Sequence, residues 1–393
     1  MNSPRAGGSP GTGLLRRRAC LAGLAAALGP WGAQASAGGV SEREIVLGQI
    51  IALTGPLSGM TQDIANAAQA WFDGVNRQGG IHGRAVRLVT LDDGYVPANS
   101  VKAVQKMVSE VQAFALLNMT GTGNVTAVQP LLDKAGLPLF GPITGAGNLR
   151  TATDTGAAIF HLRASYADEI EKIVAHLHTL SQQRIAMVYL DNGFGQDGLA
   201  SMRNALARRG MQLHAQASLR PDASDVDAAV QVLHDSRPDA LVLVTTGKAT
   251  LEFVKRYNAV GRGMRFYALS VMGSQATVQA LGPDGVGMVV TSVVPLPWSK
   301  SVVAAQEYRA AMQRSGFANL SFVGFEAFLN AKAVTEGLRR AGRELTVARF
   351  VQALESMGKV DLGGFEISFA KGSREGSRFV ELTYIGRDGR FMR

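Results

Sequence analysis

Thr120, Gly121, Thr122, Gly123 and Asn124 stand between an apolar run and a helical pattern that stops at Gly136. Hydroxyls and glycines at a helix start offer one kind of chemistry. Glycine lets backbone come close to a ligand. The first N–H groups of a helix are unpaired and carry partial positive charge, so they favour a carboxylate or phosphate. No acid, base or nucleophile stands beside them. The turn is therefore suited to hold a polar or anionic group without transforming it, although plain turn chemistry with threonine as cap uses the same residues. Three more turns have this make-up: "TGPLSG" at 54–59, "GPITGAGN" at 141–148 and "TTGK" at 245–248. In the last, Lys248 is either a charge partner or a solvated surface lysine.

Other chemistries find little support. Asp92 and Asp93 are adjacent at a strand end, so their side chains face opposite ways, which favours turn structure over an acid/base pair. "NGFGQDG" contains Gly193-x-Gly195-x-x-Gly198, the glycine pattern of a dinucleotide turn. That pattern wants an acid at the end of the next strand. "QLHAQAS" has none, and Asp222 comes only after Pro221. His176 and His178 are two residues apart and do not share a helical face. No HExxH, GxSxG or GxxxxGK[ST] occurs. The sequence predicts no cofactor, no metal and no catalytic set.

These turns need strands to end on and helices to begin. The text from Glu44 supplies them in alternation. "EIVLGQIIAL", "RAVRLVTLDD", "AFALLNM", "LPLFGP", "RIAMVYL", "QLHAQAS", "DALVLVTT" and "RFYALS" are strand-like. Between them run helical patterns such as 61–80, where Ile64, Ala67, Ala68, Trp71 and Val75 share a face. Such alternation builds parallel sheets covered by helices on both faces. A faint repeat pairs Gly123 with Gly247 and Gly136 with Gly261, at offsets of 124 and 125 residues. It predicts two α/β lobes, unless generic strand–helix units coincide by chance. After Ser270 the pattern changes. The run "GVGMVVTSVVPLP", three helical stretches and a strand-and-turn tail fit elements that return to complete both lobes.

Composition sets the setting. The chain has 393 residues, 46% of them hydrophobic and 18% charged. Arg5, Arg16, Arg17 and Arg18 precede the short apolar run "CLAGLAAALGPWGA", and Ala35-Ser36-Ala37 is a small-x-small cleavage site. This predicts an export signal over 1–37, too short to span a bilayer. "RRRACL" resembles a twin-arginine signal, but ordinary signals also carry such arginines. Cleavage near Ala37 removes four arginines, and the formal charge falls from +9 to +5. A mildly basic remainder gives no nucleic-acid signature. Cys20, the only cysteine, leaves with the signal, so the mature chain can form no disulfide and no cysteine-bound metal site.

With the turns in place, the chain resembles the branched-chain amino-acid-binding family, periplasmic substrate-binding proteins of ABC importers with the type I periplasmic fold. "EIVLGQIIALTGPLSG", "VNRQGGIHGR", "VRLVTLDD", "PLLDKAGLPLFGPITGAGNL" and "RIAMVYLDNGFGQDGL" carry the likeness, which covers about residues 43–390. It implies two Rossmann-like lobes, with parallel sheets flanked by helices and three hinge crossovers joining them. The implied division is 43–161 with 291–358, and 162–290 with 359–393. The resemblance also implies a monomer that closes on a small-molecule solute, does no chemistry on it and delivers it to a membrane permease. Its ligand positions fall on Thr122 and Gly123; on Thr144, Gly145 and Ala146; on Phe194, where amino-acid binders often carry tyrosine; and on Thr246 and Gly247.

One position departs from the pattern. Amino-acid binders place a carboxylate after the strand matching "RFYALS". Here Ser270, Val271 and Met272 follow, with no acid. Burying an ammonium without an anionic partner costs several kcal/mol. The expected ligand is therefore a carboxylate without an ammonium, an aromatic or aliphatic acid, with Ser270 on the wall. Two other readings stay open: an exported NAD(P)-dependent oxidoreductase using Gly193 to Gly198, and a ligand-sensing receptor subunit on the same fold.

Overall fold

The computed structural model describes residues 38–55, 57–150 and 158–393. The expected export signal lies outside the described residues. Two open sheets dominate. The first has the order β2-β1-β3-β4-β5, built from β1 (Glu44–Ile51), β2 (Ala85–Asp92), β3 (Ala115–Leu117), β4 (Leu139–Phe140) and β5 (Ile159–Phe160), all parallel. Helices α1 (Ser58–Arg77), α2 (Pro97–Lys106) and α3 (Thr122–Ala135) connect its strands. The helical pattern over 98–110 ends its α-helical part at Lys106 and closes with a π-helical turn, Met107–Val111.

The second sheet comprises β6 (Ile185–Leu190), β7 (Ala215–Leu219), β8 (Ala240–Val244), β9 (Phe266–Ala268), β10 (Val289–Ser292), β13 (Glu381–Ile385) and β14 (Phe391–Met392), in the order β14-β13-β10-β9-β8-β6-β7. It is parallel from β7 to β10, and β13 and β14 add an antiparallel edge. Every residue of β6 and β8 is buried, as expected for central strands covered on both faces. Its helices are α4 (Tyr166–Thr179), α5 (Gly193–Ala207), α6 (Val226–Asp235), α7 (Gly247–Val260) and α8 (Gln275–Leu281).

The chain passes between the two sheets three times: after β5, after β10 and before β13. On the second passage it returns to the first sheet as α9 (Val303–Arg314), α10 (Phe322–Ala341) and α11 (Val347–Glu355), and α10 packs along α1. The hairpin β11 (Gly358–Asp361) and β12 (Glu366–Phe369) follows. Phe369 seats its ring edge-on against both Phe140 and Phe160 of the first sheet. The third passage then runs beside the first. His161 donates its N–H to the Arg374 carbonyl at 2.8 Å, and Gly376 donates to the His161 carbonyl. Burial, reinforced by nearby Arg150, pushes the His161 imidazole down to about 3, so it is neutral. Among the described residues no helix is long and apolar enough to cross a membrane.

Candidate ligand-binding cleft

Five helices start at the cleft between the sheets, because parallel strands send their carboxyl ends and the following turns to one side. From the first sheet come Leu57 and Met60 at the start of α1, Gly121 and Thr122 at the start of α3, and Tyr95, Thr120 and Ile143 from loops. From the second come Phe194 in the first turn of α5, Thr246 at the cap of α7, Val271 after β9 and Tyr166 opening α4. These eleven residues line a cavity of about 20 Å³, room for roughly one water. The apposed side chains nearly fill the gap. None of the eleven carries a charge.

The expected residues divide by what they touch. Thr122, Phe194 and Thr246 line the cavity. Thr144 stands behind Thr122, their hydroxyl oxygens 2.8 Å apart, and also accepts the Ala146 N–H. Gly145 is packed so tightly that a Cβ would lie 2.6 Å from the Tyr166 nitrogen. Gly247 opens α7 with a φ of 55°, and Ala146 is fully buried. A Cβ on Gly123 would meet Pro97 at 3.7 Å, away from the lining. Lys248 is exposed on α7. The side chain of Ser270 is engaged elsewhere, donating to Glu169 at 3.0 Å and accepting from Arg163, and its neighbour Val271 takes the place on the wall.

Tyr95, Tyr166, Met60 and Val271 were not anticipated from the sequence. Tyr95 follows the Asp92-Asp93-Gly94 turn with a positive φ of 64°, and its ring lies where a Cβ on Gly121 would be, 2.6 Å away. That contact and a φ of 91° make glycine necessary at 121. An aromatic residue in a strand-end loop was the available signal. Tyr166 carried none, because its place depends on the Ser165–Asp168 capping box that fixes α4. Burial raises the Tyr166 phenol, with Arg163 and Thr144 partly opposing, and burial raises the Tyr95 phenol as well. Both hydroxyls are neutral donors at ordinary pH.

Two buried networks hold this wall. Asp93 accepts hydrogen bonds from the Tyr95 backbone at 2.9 Å, from the Ser100 hydroxyl at 2.6 Å and from the Asn124 amide at 2.9 Å, tying the Thr120–Asn124 turn to the end of β2. Asp92, facing the other way, accepts from the Thr54 backbone and hydroxyl and from Gly94, and the Thr54 hydroxyl first among these draws its carboxyl below the usual range. Both acids are thus turn structure. Deeper, Asn330 of α10 donates to Asn118 and to the Gly141 carbonyl, and Asn118 donates to Gln49.

The glycines of the dinucleotide-like pattern have a packing role. A Cβ on Gly195 would lie 1.8 Å from the Leu190 carbonyl oxygen, and one on Gly198 would lie 2.6 Å from Val244. They let α5 settle onto β6 and β8. The Asn192 side chain accepts from the Phe194 and Gly195 N–H groups, the donors a phosphate would need. By contrast α1, α3 and α7, like α2, α6 and α9 elsewhere, begin without a side-chain cap, whereas α4, α8, α10 and α11 are capped by Ser or Thr. The Thr120 hydroxyl, 1% exposed and on the cavity wall, has no hydrogen-bond partner among the described residues. Buried polar groups without partners are uncommon. The cleft thus presents helix starts and hydroxyls, framed by aromatic and aliphatic side chains. Among the described residues no group of three or more His, Cys, Asp or Glu is placed to hold a metal ion.

The chain belongs to the periplasmic binding protein family, whose model matches residues 44–389. A solved substrate-binding periplasmic protein from Ralstonia solanacearum is 30% identical, superposes with a TM-score of 0.83, and is matched over 89% of this chain and 99% of its own. A Leu/Ile/Val-binding protein of Rhizobium johnstonii is 25% identical over 205 residues, about half of either chain (51% of this one, 54% of the relative). A fatty acid ABC transporter substrate-binding protein from Thermomonospora curvata shares the fold at a TM-score of 0.81 and 19% identity, over 90% of this chain and 91% of that one.

Proposed function

We propose that this protein is the exported solute-binding component of an ABC importer and that it captures a small acid without an ammonium, aromatic or aliphatic, in the cleft between its sheets. One observation carries the reading: three helix starts without side-chain caps and a partnerless Thr120 hydroxyl meet at a cleft whose lining holds no charged side chain. Helix N-termini favour a carboxylate, and no lining carboxylate is there to receive an ammonium. Tyr95, Tyr166, Phe194, Leu57 and Val271 suit an apolar body. The family's Leu/Ile/Val-binding and fatty-acid-binding members support solutes that join a carboxylate to an apolar body.

In this reading Thr120, Thr122, Tyr95 and Tyr166 supply hydroxyls to the head group, Thr144 backs Thr122, and the lobes part to admit the solute and close upon it. Differential affinity for the closed arrangement drives closure. The lobes correspond to the division given above, with the β11–β12 hairpin joined to the first lobe on account of Phe369. The protein acts as a monomer in the periplasm after removal of its leader near Ala37, hands the solute unchanged to a membrane permease, and needs no cofactor. The test is calorimetric titration of the mature protein with benzoate, phenylacetate, octanoate and L-leucine. Saturable binding of one or more of the acids and none of leucine is expected; tight leucine binding, or binding of none of the acids, refutes the reading.

A further inference from the structure

We infer that Arg163 is the specificity-determining residue of the cleft: a resident cation that occupies the buried glutamates behind the cleft wall and so leaves the cleft to anionic or neutral solutes. This deepens, and rests on, the reading of the cleft as a solute site.

Arg163 lies on the first passage between the sheets and is 1% exposed. Its Nη2 donates to Glu169 Oε1 at 3.1 Å and to the Ser270 hydroxyl. Glu169 also accepts the Ser270 N–H at 2.8 Å and the Ser270 and Thr291 hydroxyls. On the other side Glu326 of α10 brings Oε1 to 3.7 Å from Arg163 Nη1, with no hydrogen bond to that oxygen among the described residues. One guanidinium therefore serves two wholly buried carboxylates. Burial opposes the charge on Arg163, but Glu326, Glu169 and Tyr166 together more than offset it. Burial likewise pushes Glu326 up to about 7, against the pull of Arg163. The next charges, Arg150 and Glu375, pair with each other at 3.5 Å, and neighbouring His161 is neutral.

This cluster sits one layer behind the cavity. The Arg163 guanidinium carbon lies 5.6 Å from the centre of the Tyr166 ring, and Tyr166 lines the cleft. Ser270, bonded to both Arg163 and Glu169, is joined to Val271, which also lines it. A carboxylate thus stands close to where the sequence offered none after β9, but its charge is already answered from inside. Removing the guanidinium leaves buried carboxylates uncompensated, a costly state that a cation entering from the cleft would relieve.

The test uses three probes with one ring and three head charges: benzoate, benzyl alcohol and benzylamine. Melting temperatures and calorimetric titrations are taken on the wild-type protein, on Arg163→Met and on Arg163→Lys. The wild type should answer to benzoate and not to benzylamine. Arg163→Met should bind benzylamine about tenfold or more tighter than the wild type does and benzoate about tenfold weaker, whereas Arg163→Lys should keep the wild-type order. A merely structural role would lower stability without reversing the preference. Folded Arg163→Met that gains no amine overturns the inference. If that variant does not fold, Arg163→Met/Glu326→Gln, with one carboxylate left, makes the same test. If neither folds, methylguanidinium chloride during refolding should restore Arg163→Ala, and failure to do so overturns the inference. A wild type blind to all three probes speaks against the cleft reading for aromatic solutes, while the amine gained or not gained by the variants still decides the role of Arg163.

Discussion

The most telling side chains here are hydroxyls and one carboxyl. Thr122 shares a hydrogen bond with Thr144 inside a wall that otherwise offers backbone donors and rings. Thr122→Val should weaken solute binding by about 1–3 kcal/mol, because it takes one hydrogen bond from Thr144 and leaves a ligand oxygen without a partner; titration calorimetry against the best acid found for the wild type measures this. Glu326 gives a prediction that needs no ligand. Its carboxyl is raised from 4.5 to about 7 in the folded protein. The unfolded chain therefore ionises it from about pH 4.5, while the folded protein keeps its proton until about pH 7. The folded state binds the extra proton in that window, so this group makes stability fall as pH rises through it and level off above. Glu326→Gln should remove that decline. Melting curves across the window should show the variant gaining on the wild type as pH rises, and parallel curves would contradict it.

At the scale of elements, the helices that open on the cleft are placed by glycines and caps. Gly195 lets α5 lie against the Leu190 carbonyl. Gly195→Ala should cost about 1–3 kcal/mol by overpacking and lower the melting temperature, and it should do so equally with and without NAD in the solution. Much of this was legible in the sequence. Strand–helix alternation and strand-end Thr-Gly turns gave the α/β class and put Thr122 and Thr246 at the cleft, because strand direction alone decides where such turns gather; Phe194 came from the family resemblance. Tyr166, Met60 and Val271 were not legible. They reach the cleft through the relative placement of two sheets whose parts are far apart in the chain, and no local pattern encodes that. Ser270 was misread for the same reason: the carboxylate beside it, Glu169, is 101 residues away and belongs to another helix. The GxGxxG pattern carries little weight by itself, since close helix–strand packing demands glycine whether or not a phosphate is present.

For the whole molecule, one contact across the cleft bears on the proposed closure. The Gly147 N–H donates to Asp197 Oδ1 at 2.8 Å, bridging a loop of the first sheet and a helix of the second. Burial raises the Asp197 carboxyl, partly opposed by that N–H. Asp197→Ala should shift the population towards separated lobes by up to about tenfold, the worth of one hydrogen bond of roughly 0.5–1.5 kcal/mol. Small-angle scattering should then report a larger radius of gyration for the variant; an unchanged radius would deny the contact any part in closure. The three passages between the sheets also bear on how the protein comes into being. Because β13 pairs along β10 and arrives only after residue 380, an interrupted chain would leave the edge of the second sheet bare. Unpaired edges invite pairing with other chains. A truncated product would therefore be a seed for aggregates and not a smaller receptor, so the cell gains nothing from this chain until its last strands have been delivered.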